Sequence, residues 1–137
     1  MSYLLDTNHW SYLQEEHPQI LAHLQQLPPE TVLCMSVISQ GELLAGVEWA
    51  QGLRRKAQLR LLYERAVATA AMIVPITEDI AEQYAKIYAQ LRRKGRLIQS
   101  NDIWIAATAL AYNMVLVSAD AHFRLIEGLQ VEDWTQP

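Results

Sequence analysis

The chain has 137 residues, of which 51% are hydrophobic and 19% are charged, and its formal net charge at pH 7 is −4. This composition fits one globular domain and excludes a disordered, collagen-like or linker-like chain. The single cysteine, Cys34, excludes an intrachain disulfide and a cysteine-based zinc site. The negative balance argues against a protein that coats nucleic acid through overall charge alone. Because the sequence shows neither a secretory signal pattern nor an apolar run of membrane-spanning length, the protein is expected to be cytoplasmic and to have no membrane partner.

Apolar runs of strand length alternate with longer segments of helical periodicity along the whole chain. The predicted strands cover residues 3–5, 32–35, 72–76 and 114–117, and Val131 opens a short fifth strand. The predicted helices cover residues 9–27 with a break at Pro18, the segment around Glu42 up to Gly52, 53–70, 78–95 and 101–113, with a short helical turn around Phe123. This alternation predicts an α/β fold for one domain over residues 1–137, with a short, mostly parallel sheet of four to five strands and helices on both faces.

Four acidic residues stand at the borders of strongly apolar runs. Asp6 directly follows the first predicted strand and Asp120 follows the fourth, while Glu42 and Asp102 each precede an apolar helical run. α/β sheets bind ligands at the carboxyl ends of their strands, so these acids are expected to meet at one edge. At ~5 Å and an effective dielectric constant of about 20, each pair of like charges would cost roughly 3 kcal/mol. A hard cation such as Mg²⁺ or Mn²⁺ would remove that cost and would suit phosphodiester hydrolysis.

Each acid also has an ordinary structural interpretation. Asp102 could cap its helix, Glu42 could close a capping box that begins at Ser39, Asp120 could cap the short helical turn, and Asp6 could form an Asx-turn. Composition and spacing leave both interpretations open.

The segments that contain these acids resemble, in order, the four motifs of the PIN-domain family. The matching segments read MSYLLDTNHW, SVISQGELLAGV, GRLIQSNDIWIAATAL and LVSADAHF. The resemblance covers residues 4–123, and the compact length is similar to that of the VapC toxins of prokaryotic toxin–antitoxin pairs. It implies a three-layer α/β/α fold, in agreement with the predicted elements.

The resemblance also implies a function, that of a metal-dependent endoribonuclease. Four carboxylates would bind Mg²⁺ or Mn²⁺ and three polar residues would support them: Asp6, Glu42, Asp102 and Asp120, with Thr7, Asn8 and Ser118. The implied substrate is a structured RNA, chiefly transfer RNA or ribosomal RNA. The implied partners are a second copy of the chain and a small antitoxin that inserts a segment, often with a basic residue, into the acidic site.

Two histidines and two basic clusters lie near these motifs. His9 and His122 flank two of the acids and are either substrate or ligand contacts or ordinary polar residues of a first helical turn. Seven basic residues are candidate RNA contacts: Arg54, Arg55, Lys56, Arg92, Arg93, Lys94 and Arg96. The second cluster also suits a helix C-terminus, where cations interact favourably with the helix dipole, whereas the first lies at a helix N-terminus, where they do not.

Three other functions are considered. A phosphate-accepting receiver domain needs paired acids after the first strand and a lysine after a late strand, which this sequence lacks. A haloacid-dehalogenase-like phosphatase needs a second aspartate where Asn8 stands. A non-catalytic PIN-fold scaffold for RNA or protein remains an alternative, although the four intact acids argue against it.

Overall fold

The computed structural model describes residues 1–137, which form five strands and six helices. The strands are β1 (Ser2–Leu5), β2 (Val32–Ser36), β3 (Met72–Val74), β4 (Val115–Val117) and β5 (Val131–Glu132). The helices are α1 (Thr7–Gln14), α2 (Pro18–Gln26), α3 (Val37–Trp49), α4 (Leu53–Thr69), α5 (Glu78–Arg93) and α6 (Ser100–Ala111), and a 3₁₀ helix covers Ala121–Leu125.

All five strands are parallel and lie in the order β3-β2-β1-β4-β5. The predicted α/β fold and parallel sheet are therefore confirmed, with five strands. The chain winds outwards from β1 in one direction through β2 and β3, and returns to the other side of β1 to form β4 and β5. The strand order thus reverses between β1 and β4, and α/β sheets bind ligands at such a reversal, beyond the carboxyl ends of the strands.

Side chains alternate between two cores because successive residues of a strand point to opposite faces of the sheet. In β1, Tyr3 and Leu5 face a core built with α1, α2 and α4, whereas Leu4 faces a core built with α5 and α6. In β4, Val115 and Val117 join the first core and Leu116 the second. The sheet is consequently buried on both faces, which gives the three layers expected of the fold.

Several boundaries differ from those predicted, and the first two described below have a local reason. The strand expected at 72–76 ends at Val74, before Pro75, whose nitrogen has no hydrogen to donate to a neighbouring strand. Helix α3 already begins at Val37, because the Ser36 side chain caps it by accepting from Ile38 N. Helix α6 begins at Ser100, slightly earlier than predicted.

None of the helices is both long enough and apolar enough to span a lipid bilayer.

Candidate functional site

The carboxyl ends of β1 and β4 place two of the motif residues side by side. Leu5 is in register with Val117, and the amide of Asp6 donates to the Val117 carbonyl at 3.0 Å. Ser118, which directly follows β4, donates its backbone amide to the Glu132 carbonyl at 2.8 Å. Asp6 and Ser118 are both buried, so the backbone of the sheet fixes two polar groups at the edge where the strand order reverses.

Asp6 caps helix α1. Its Oδ1 accepts a hydrogen bond from the His9 amide at 2.8 Å, and the His9 ring atom Nδ1 lies 3.3 Å from the same oxygen. The expected Asx-turn is therefore replaced by an N-cap, since the helix begins at the very next residue, Thr7. Both contacts end on Oδ1, and Oδ2 accepts no hydrogen bond in the structure.

Thr7 connects the first motif to the second. Its Oγ1 lies 2.6 Å from Oε1 of Glu42 and 2.9 Å from Oγ of Ser39. Because an ionised carboxylate can only accept, the threonine hydroxyl donates to Glu42. The capping-box interpretation of Ser39 and Glu42 is wrong, because both lie inside α3, which Ser36 caps.

Asp102 and Asp120 lie on the other side of the β1–β4 junction, close to His122. Asp102 is in the first turn of α6 but not at its cap, which is Gln99, so the N-cap interpretation is wrong. His122 Nε2 lies 3.3 Å from Asp102 Oδ2. Asp120 occupies the cap position of the 3₁₀ helix without a side-chain cap bond, and its amide instead donates to Ser118 Oγ at 3.0 Å. A shallow depression is lined by Leu97, Ile98, Gln99, Asp102, Asp120 and His122.

Burial and the neighbouring charged groups both act on the Asp102 carboxyl. Burial raises the pKa of the Asp102 carboxyl; the neighbouring His122 lowers this pKa, and the negative charges of Glu42, Asp120 and Asp6 raise it further. The net pKa lies above the ordinary value for aspartate. Asp102 therefore responds electrostatically to the other three acids, although they come from three separate segments of the chain.

The arrangement of these oxygens suits a hydrated divalent cation rather than a closed metal cage. As the side chains stand, no three acidic, histidine or cysteine groups converge closely enough to bind one ion directly. Mg²⁺ is commonly held by one or two carboxylates and keeps several waters. The raised pKa of Asp102 depends on burial and on nearby charge and not on direct ligation, so the two observations are compatible.

Four other predicted site residues lie in the first turns of two helices. Asn8 is exposed in the first turn of α1. Arg54 and Arg55 are exposed in the first turn of α4, where Lys56 is half-buried.

The second basic cluster ends α5. Arg92 donates to the Tyr88 hydroxyl at 2.8 Å, and Lys94 pairs with Glu127 at 3.5 Å, while Arg93 and Arg96 are exposed. The chain then continues directly into residues 97–99, which line the depression beside Asp102 and Asp120.

Sequence reasoning left the histidines undecided and did not identify two other contacts. His9 is fully buried against Asp6, and His122 contacts Asp102. Ser39 contacts Thr7, and its spacing of three residues from Glu42 on one helix could have indicated a shared face. Asp133 lies 3.8 Å from His9, and no sequence pattern indicated this contact, because it joins the two ends of the chain.

Comparisons with known proteins identify the family of this chain. The sequence pattern of the PIN domain matches residues 3–129. Ribonuclease VapC1 of Haemophilus influenzae strain R2866 is 37% identical over 139 residues, covering 99% of this chain and all of the relative. Ribonuclease VapC2 of Haemophilus influenzae strain Rd is 31% identical over 137 residues, covering 98% of each chain.

Solved structures show the same fold. A chain of VapBC-1 from nontypeable Haemophilus influenzae superposes with a TM-score of 0.87 at 36% identity, covering 99% of this chain and 100% of its own length. A chain of VapBC2 from Rickettsia felis, solved with a promoter DNA fragment, superposes with a TM-score of 0.87 at 27% identity, covering 98% and 99%. Since the domain pattern spans nearly the whole chain and full-length relatives exceed 30% identity, the chain belongs to the PIN-domain family and, within it, to the VapC group.

Proposed function

We propose that this protein is a divalent-metal-dependent endoribonuclease and the toxin of a toxin–antitoxin pair. The observation that carries the proposal is the placement of Asp6 and Asp120 beyond the carboxyl ends of the adjacent parallel strands β1 and β4, with Asp102 and Asp120 lining one depression. Burial raises the pKa of Asp102, and the charges of Glu42, Asp120 and Asp6 raise it further. Four carboxylates gathered beside a strand-order reversal are unfavourable for folding unless a cation offsets their repulsion. The names of the relatives point to the same activity.

The cation would be held by Asp6, Glu42, Asp102 and Asp120, and Mg²⁺ and Mn²⁺ are the ions that suit these oxygen ligands. When bound, such an ion lowers the pKa of a water molecule and offsets the negative charge that develops on the phosphate. The chain itself contributes orientation. The hydroxyl of Thr7 holds Glu42, and Ser118 holds the backbone of Asp120.

The RNA backbone would be bound by the two basic clusters, because phosphate contacts position a nucleic acid over a site whose own charge is negative. The cluster that ends at Arg96 is joined by residues 97–99 to the depression beside Asp102. The exposed cluster at Arg54 and Arg55 begins α4, where the helix dipole also favours an anion. The proposed substrate is a structured RNA of the transfer or ribosomal class.

The proposed antitoxin site is the groove between α1, α3 and α4. Thr7 and Glu42 stand among its lining residues, and the half-buried Leu43, Leu59 and Leu62 supply apolar surface. An amphipathic segment could bury its apolar face there while a basic side chain reached Glu42. Binding of that segment would neutralise a carboxylate that the reaction needs, which accounts for inhibition.

A second copy of the chain is the proposed partner at the corner between α3 and α4. Trp49 and Leu53 are 80% and 90% exposed there, and large apolar side chains that are clustered and uncovered mark interaction surfaces. We infer that they form the centre of a homodimer interface.

The test is cleavage of cellular RNA by the purified protein, free of antitoxin, with Mg²⁺, with Mn²⁺ and with a chelator. Glu42→Gln is expected to abolish cleavage. Glu30→Gln is the matched control, since Glu30 is exposed and precedes β2 at the opposite edge of the sheet, and it should cleave like the parent. Fragment ends that map to transfer or ribosomal RNA would identify the substrate class.

Two results would contradict the proposal. Cleavage that persists in the chelator would exclude the metal-dependent reaction. A folded parent that cleaves no RNA with either metal, yet still binds RNA, would favour the non-catalytic scaffold.

A further inference from the structure

His9 is fully buried although it lies in the first turn of a helix that begins at the active edge of the sheet. Its ring packs edge-on against Tyr12, with 5.8 Å between the ring centroids. Nδ1 lies 3.3 Å from Oδ1 of Asp6, and Nε2 lies 3.8 Å from Oδ1 of Asp133. Apart from this approach, Nε2 has no hydrogen-bond partner. Burying the Nε2 atom without a hydrogen-bond partner is costly, so packing alone does not account for a histidine at this position.

The contact with Asp6 has a definite direction. An ionised carboxylate can only accept hydrogen bonds, so Nδ1 of His9 carries the hydrogen and donates it. The backbone amide of His9 donates to the same oxygen at 2.8 Å. Two donors from one residue thus hold Oδ1, which fixes the rotation of the carboxyl group and leaves Oδ2 as the oxygen without a protein partner.

The far side of the His9 ring is bounded by the C-terminal segment 131–135. Asp133 Oδ1 accepts from the Thr135 amide at 2.9 Å, which holds the carboxylate in place. Trp134 is fully buried, with its ring centroid 5.1 Å from that of Tyr3 in β1. This segment lies beyond residue 129, where the PIN-domain match ends, yet it packs behind His9, a residue of the first motif.

We propose that His9 is a positioning residue that holds the Asp6 carboxylate in one orientation, so that Oδ2 is presented to a divalent cation, with the C-terminal segment 131–135 holding His9 in place. The inference rests on the proposed function, because Asp6 must bind the cation for its orientation to matter. Residues that hydrogen-bond to metal ligands typically change metal affinity by about 10–100-fold when they are altered.

The test compares His9→Asn with His9→Gln in the full-length protein. The side-chain amide of asparagine places an N–H group where Nδ1 lies, whereas that of glutamine places it one methylene further, near Nε2. Both substitutions bury one amide, so a merely structural role would affect both alike. The readouts are the Kd for Mn²⁺, measured by calorimetric titration, and the urea midpoint of unfolding.

His9→Asn is expected to bind Mn²⁺ with a Kd close to that of the parent, and His9→Gln with a Kd about 10–100-fold higher, at similar urea midpoints. Equal Kd values for the two variants would overturn the inference. Asp6→Asn, measured alongside, tests the proposed function separately. If Asp6→Asn binds Mn²⁺ as the parent does, Asp6 is not a ligand and the proposed metal site fails.

A measurement on the unaltered protein covers the case in which neither His9 variant folds. Nitrogen NMR of the cation-free parent identifies which ring nitrogen carries the hydrogen. A protonated Nδ1 on His9 is expected, and an unprotonated Nδ1 would overturn the inference.

Discussion

Replacing Asp6 by asparagine or by alanine is expected to abolish RNA cleavage equally but to affect stability very differently. Both changes remove a carboxylate from the proposed metal site. Only alanine also removes the oxygen that accepts from the His9 amide at 2.8 Å and from the His9 ring at 3.3 Å. The side-chain oxygen of asparagine can accept both hydrogen bonds and caps a helix about as well as aspartate does.

The expected cost of Asp6→Ala follows from these two contacts. Loss of the helix cap costs about 0.5–2 kcal/mol. Leaving the fully buried His9 ring without its acceptor costs about 1–3 kcal/mol more. The sum, about 1.5–5 kcal/mol, lowers the Tm of a chain of this size by roughly 5–18 °C. Asp6→Asn should stay within about 1 kcal/mol of the parent, with a small gain where it relieves repulsion among the carboxylates.

The assay is thermal unfolding of the cation-free proteins, paired with RNA cleavage in Mn²⁺. If Asp6→Asn melts together with Asp6→Ala, the account of the cap and the histidine is wrong. If Asp6→Asn cleaves RNA at the parent's rate, Asp6 takes no part in the reaction.

Three further outcomes are expected. Thr7→Val keeps the side-chain shape but removes the hydroxyl that donates to Glu42. It should lower the free energy of unfolding by about 1–2 kcal/mol in urea titrations and slow RNA cleavage in initial-rate measurements. Unchanged values would mean that the 2.6 Å contact contributes nothing. Asp102→Asn should stabilise the cation-free protein at pH 7. Because the pKa of Asp102 is raised in the folded state, its ionisation opposes folding, so the gain should shrink as the pH falls through that pKa; a gain that is constant with pH in urea titrations would contradict this. Trp49→Ser should weaken the proposed dimer by about 2 kcal/mol, which is roughly a 30-fold rise in the dimer Kd measured by analytical ultracentrifugation. A parent protein that sediments as a monomer would contradict the proposed interface.

The strands were predictable because each buried strand is a short run with no polar residue inside it. The first predicted strand, 3–5, and the fourth, 114–117, each match the structure to within one residue. Asp6 follows the first strand and Asp120 follows the fourth. Because the carboxyl ends of parallel strands lie at the same edge of a sheet, both acids could be placed at that edge from the sequence. The strand expected at 72–76 was too long. The apolar run continues to Ile76, but the strand ends at Val74 because the nitrogen of Pro75 has no hydrogen to donate to a neighbouring strand.

The first residues of the helices were less predictable, and misplacing them made Glu42 and Asp102 look like capping residues. A serine followed three residues later by glutamate resembles a capping box, yet Ser36 caps α3 first and leaves Glu42 in the helix interior. The acid then faces Thr7 across a gap of 35 residues in sequence. Competing caps in one polar segment differ by little in local energy, so packing against α1 decides between them.

The sequence by itself determined the α/β class and the parallel sheet, because these depend on local patterns of apolar and polar residues. Its resemblance to the PIN-domain family supplied the order of the motifs and the four candidate acids. Only the tertiary structure decided which side chain holds each acid. Thr7 meets Glu42, His122 meets Asp102, and His9 stands between Asp6 and Asp133. The longest of these contacts joins His9 to Asp133, near opposite ends of the chain, and the two cores on either side of the sheet bring such segments together. No local pattern encodes such distances, so a buried histidine that supports Asp6 becomes visible only when the C-terminal segment is packed against it.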